Sequence, residues 1–85
     1  MISIDSQQFK DLIHESAALR GSGQFSKAIE LLEEALPDME ESCLLNTYHE
    51  LFLAAKELGD MVLTCRYAKA LHGIEPGLPA IQPYL

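Results

Sequence analysis

Gly23 and Gly59 restrict this chain more than any other residues. Before Gly23, apolar and small residues recur at three- and four-residue spacing: Phe9, Leu12, Ile13, Ser16, Ala17 and Leu19. After it the pattern resumes at Phe25, Ala28, Ile29, Leu32, Ala35 and Leu36. The same arrangement surrounds Gly59, with Leu44, Leu45, Tyr48, Leu51, Phe52, Ala55 and Leu58 before it and Met61, Val62, Cys65, Ala68 and Leu71 after it. A 3,4 spacing of apolar residues marks one face of a helix. Glycine supplies the positive φ that lets a helix end and the chain reverse tightly. The sequence therefore predicts an all-α fold of two tandem antiparallel helical hairpins, four helices in all.

Punctuation sets the boundaries. Asp5 or Ser6 can cap a first helix of about residues 6–20, after a short extended lead-in over residues 1–5. Pro37 ends the second helix near Leu36, because proline lacks an N–H and disfavours helical geometry in the residue before it. The first hairpin spans about residues 6–36 and the second about 40–73, with Gly73 as the residue just past the last helix. The segment 74–85 holds three prolines and a glycine, which preclude a long helix. Its Ile74, Leu78, Ile81, Tyr84 and Leu85 are too apolar for a free tail, so it is expected to pack as a cap on its own domain or against a second chain. One domain accommodates all 85 residues.

Charge narrows the function. The net charge is −7, which opposes nonspecific attraction to nucleic acid or to anionic lipid. Six acids, Glu30, Glu33, Glu34, Asp38, Glu40 and Glu41, crowd one stretch with no Lys or Arg among them. They read first as a solvated outer edge, with the last of them near the positive N-terminus of the third helix. Cys43 and Cys65 form no CxxC pair and no zinc spacing, and each falls on an apolar-periodic face, as reduced thiols of a cytoplasmic protein do. The N-terminus lacks the basic start and apolar run of a signal peptide, and no stretch reaches the ~18 apolar residues of a membrane span. His14-Glu15 and His49-Glu50 lack a second histidine four residues on, and Gly21-Ser22-Gly23 lacks the lysine of a phosphate loop. The expectation is a protein without catalysis, cofactor or metal.

With this pattern laid out, the chain resembles the tetratricopeptide repeat family, whose units of ~34 residues are antiparallel helix pairs stacked into a superhelix. The turn glycines stand 36 positions apart. Gly23, Phe25, Ala28, Leu32 and Ala35 match the family's turn and second helix, with Leu12, Ser16 and Leu19 acceptable in the first. In the second unit, Tyr48, Leu51, Gly59-Asp60 and Pro76 fit. Glu15, Phe52, Ala55, Thr64 and Leu71 depart from the pattern, with Phe52 and Ala55 readable as an exchange of large and small.

The resemblance implies a groove lined by the first helix of each unit. Carried over, it consists of Lys10, Ile13, Ala17 and Arg20, then Asn46, His49, Leu53 and Lys56. The lysine and asparagine clamp by which some members hold chaperone tails is missing, since Ile13, Ala17, His49 and Leu53 stand at its positions. What remains implies a protein-interaction module, an adaptor or scaffold with a mildly basic, partly apolar groove for a peptide or helix. Two alternatives share the composition: a small dedicated chaperone for one client, and an acidic regulator that covers a basic surface through Glu30–Glu41. Because stable stacks usually need three or more repeats, a homo-oligomer is expected, with Ile74, Leu78, Ile81, Tyr84 and Leu85 as residues that self-associate or cap.

Overall fold

The computed structural model describes residues 4–85, and the described chain is all-helical. Four α-helices follow one another: α1 (Ser6–Gly21), α2 (Phe25–Ala35), α3 (Glu41–Leu58) and α4 (Met61–Ile74). A 3-10 turn, Leu36–Asp38, leaves α2, and a 3-10 segment, Pro79–Tyr84, closes the chain. Of the lead-in, Met1–Ser3 lie outside the described residues; the Ile4 N–H donates to the Asp38 carbonyl at 3.0 Å.

Both reversals are built alike. Gly23 has φ +82° and Gly59 φ +84°, and a Cβ at either would meet nothing within 4 Å, so the dihedral rather than crowding calls for glycine. At the first turn the Gly23 N–H donates to the Arg20 carbonyl (3.1 Å) and the Gln24 N–H to that of Leu19 (2.8 Å). At the second, Gly59 donates to Lys56 (3.2 Å) and Asp60 to Ala55 (3.1 Å). Each bond of one turn lies 36 residues from its counterpart, and together they make the Schellman arrangement that satisfies the last carbonyls of a helix. Entry into the helices differs more. Asp5 and Gln8 form a reciprocal capping box on α1, and Asp60 accepts from the Leu63 N–H on α4, whereas α2 and α3 have no side-chain cap.

Each helix packs against the next, and α3 also reaches back to α1. The least extent of the molecule, 18 Å, is that of two helices stacked. The core runs through α2, α3 and α4: Ala28, Leu32, Leu51, Phe52, Ala55, Ala68 and Leu71 are fully buried, and α1 adds Ser16. Ala28 and Ala55 give the close approach that small residues allow, while Ala35 is only half-buried. Phe52 and Ala55, the departures from the repeat pattern, both lie in the core.

One boundary, one residue and one face differ from the sequence reading. Gly73 lies inside α4, which continues to Ile74 and is followed by Glu75 as its cap. Leu58, placed in the apolar stripe of α3, is 42% exposed beside the turn. The larger correction concerns α4. Met61, Val62 and Cys65 read as its buried side, yet Met61 is 57% and Val62 72% exposed, and Cys65 is half-buried. The face turned to the core is Thr64, Tyr67, Ala68 and Leu71. Its polar atoms are satisfied: the Thr64 hydroxyl donates to the Asp60 carbonyl at 2.7 Å, and the Tyr67 hydroxyl to Glu33 Oε1 at 2.8 Å. Hydrogen bonding removes most of the penalty of burying these groups. A threonine and a tyrosine therefore occupy the interior while more apolar residues face water.

The chain end lies along α4. Ile81 is fully buried, Leu78 and Tyr84 are half-buried against the core, and Ile74 and Leu85 are exposed. The Tyr84 ring meets Phe52 edge to face, with centroids 5.4 Å apart.

Candidate functional site

Residues carried over as a groove divide into two groups. Lys10, Ile13 and Asn46 line an open cleft of about 650 Å³ between the N-terminal halves of α1 and α3. Its apolar wall comes from Ile4, Phe9, Ile13 and Cys43, and its polar rim carries Asp5, Lys10, His14 and Glu40. The helices determine this geometry. Phe9 and Ile13 stand one turn apart on α1, as Cys43 and Asn46 do on α3, so a single contact between the helices presents all four.

The remaining groove residues lie further along the same pair of helices. Ala17 and Leu53 are half-buried, and His49 is exposed. Arg20 is held by α3: its Nε lies 3.2 Å from Glu50 Oε2, and its Nη1 lies 3.5 Å from Glu57 Oε1. Lys56 places its Nζ 5.9 Å from the centroid of the Phe52 ring. Two of the three cations that made the groove basic in the sequence are thus engaged within the chain. The mildly basic character expected of the groove is not carried by this cleft, whose charged rim sets Lys10 against the carboxylates of Asp5 and Glu40. The Arg20 pairs cross 30 and 37 positions of sequence, beyond the reach of helical periodicity.

The acid run is exposed throughout, at Glu30, Glu33, Glu34, Asp38, Glu40 and Glu41. Among the described residues none of these carboxylates lies within 4 Å of a cation. Glu33 alone has a long-range partner, the Tyr67 hydroxyl, and this bond ties α2 to α4. Among the described residues no three His, Cys, Asp or Glu side chains gather where one ion could be held, and no helix is long and apolar enough to cross a membrane.

The Tyr67–Glu33 bond has a consequence at high pH. Burial, then the hydrogen bond and the charge of Glu33, push the Tyr67 phenol well above its ordinary value of 10.0. The unfolded chain therefore loses this proton first. The stability held by the neutral phenol is complete below pH 10 and falls as pH rises beyond it. Tyr67→Phe is expected to cost about 0.5–1.5 kcal/mol at neutral pH. It should also flatten the loss of stability above pH 10, which urea titrations followed by circular dichroism at several pH values will measure. An unchanged alkaline slope in the variant contradicts the assignment.

Compared with models of protein families, with curated proteins and with solved structures, the chain matches none.

Proposed function

We propose that this chain is a non-enzymatic protein-interaction module, built as two tetratricopeptide-like helical hairpins with the segment Pro79–Tyr84 as its terminal cap. The reading is supported by two identical turns 36 residues apart and, above all, by the open cleft between α1 and α3. That cleft combines an apolar wall with a thin charged rim, the make-up of a site for an extended peptide segment or one edge of a helix. Since Arg20 is already paired, charge does not select an acidic ligand. An apolar anchor side chain seated on Phe9 and Ile13 supplies the affinity, and Lys10, His14 and Asn46 orient the backbone of the bound segment. A general adaptor and a chaperone for one client would both use this surface, and the number of proteins captured separates them.

The test is affinity capture from the native cell with wild type and two exposed-residue variants. Asn46→Arg fills the cleft mouth and is expected to abolish capture, while Arg66→Glu, outside the cleft, leaves it intact. Capture that survives Asn46→Arg and Lys10→Glu together overturns the cleft as the site. Loss on charge reversal at Glu34 and Glu41, with the cleft variants silent, would point instead to the acidic stretch as the binding surface.

A further inference from the structure

The outward face of α4 is the least expected surface of this molecule. Met61 and Val62 are exposed there, Cys65 half so, and with Arg66 and Lys69 they line a shallow depression. A helix apolar on two faces is usually covered on both. Here the inner face is in the core and the outer one is open. Arg66 and Lys69 are two of only six basic residues in a chain of charge −7, and neither meets a carboxylate within 4 Å among the described residues.

The repeat spacing relates this face to α2. Shifted by the 36 residues that separate the turns, Val62, Arg66 and Lys69 fall on Ser26, Glu30 and Glu33 of α2, and all six positions are exposed. The two helices thus carry opposite charges at equivalent places. They meet where the Tyr67 hydroxyl of α4 bonds Glu33 of α2, which brings Glu33 to within two positions of the level of Lys69. α1 and α3 run in one direction, with Phe9 and Ile13 beside Cys43 and Asn46 at one end and Arg20 beside Glu50 and Glu57 further on, so the like reversals at Gly23 and Gly59 give α2 and α4 one direction too.

We infer that this face is the contact of a two-fold dimer, in which α4 of each copy lies on α2 of the other. A two-fold axis parallel to the helices and midway between them lays α4 of one copy over α2 of the second, in parallel and in register. Arg66 then faces the second copy's Glu30 and Lys69 its Glu33, while Met61 and Val62 are covered by the second copy's Phe25 and Ser26. An axis across the helices would set α2 against α2 and bring like charges together. Charge therefore selects the first arrangement, and each contact occurs twice. The proposal rests on the placement of α2 and α4 and makes no use of the cleft between α1 and α3.

Charge reversal with a mixing step tests it. Wild type, Glu30→Lys, Arg66→Glu and the double variant are compared by sedimentation and light scattering, with circular dichroism to confirm that each is folded. Wild type is expected to dimerise, and to do so more weakly as salt rises. Each single variant presents like charges to itself and should lose at least about tenfold in dimer affinity. The double variant, with the pair exchanged, should recover. An equal mixture of the two single variants should form a heterodimer, because at positions 30 and 66 one then carries two cations and the other two acids, and the Lys69–Glu33 pairs are untouched. A monomeric wild type, dimers indifferent to both single reversals, or folded single variants that stay monomeric on mixing would each overturn the proposal. Asn46→Arg should leave the dimer unchanged, which separates this surface from the cleft.

Discussion

Phe52→Ala is expected to lower the unfolding free energy by about 3–5 kcal/mol. Phe52 is fully buried on α3, at the point where the second hairpin meets the chain end, and its ring touches Tyr84 edge to face. Truncation leaves a cavity in a core whose other members, Leu51, Ala55 and Ile81 among them, are fully buried. A domain of this length holds in total about 4–13 kcal/mol, so the loss is a large share of the whole. In thermal melts the midpoint should fall by at least about 12 °C. Phe52→Leu keeps most of the apolar volume and should cost clearly less. Equal effects of the two substitutions would mean that the ring's volume is not what the core depends on.

Much of this architecture was legible in the sequence because its signals are local. Gly23 and Gly59 mark reversals by a dihedral that other residues avoid, and both adopt it. Asp5, one of the two residues offered as the cap of the first helix, accepts the Gln8 N–H. What the sequence misread depends on contacts between distant segments. On α4 the stripe Met61, Val62, Cys65 is more apolar than Thr64, Tyr67, and hydrophobic periodicity ranks faces by that difference alone. The ranking fails because Thr64 satisfies its hydroxyl within its own helix and Tyr67 reaches Glu33 on α2. Neither polar group is left without a partner, so burial costs little. The cleft suffered in the same way. Lys10, Arg20 and Lys56 look equivalent as charges along α1 and α3, but folding engages Arg20 with Glu50 and Glu57 and sets Lys56 over Phe52. Only Lys10 is left at the cleft. A sequence records which charges exist, and tertiary contacts decide which of them stay available to a partner.

Deleting residues 79–85 is expected to destabilise the fold more than any single substitution outside the core. The segment covers α4 with Ile81, which is fully buried, and brings Tyr84 onto Phe52. Ile81→Ala alone should cost about 2–5 kcal/mol. The deletion adds the loss of the Tyr84 contact and uncovers apolar surface on α3 and α4. In the proposed stack of only two hairpins this matters more than in a long array, since nearest-neighbour contacts at a terminal unit have no further unit to replace them. The truncated chain should bind a hydrophobic dye at neutral pH and lose its cooperative melt, while removal of the exposed Leu85 alone should leave the melt unchanged. A peptide spanning residues 74–85, added in excess, should raise the midpoint of the truncated chain if the segment acts by covering that surface. A truncated protein that still melts cooperatively within a few degrees of wild type would show that α3 and α4 close on themselves without it.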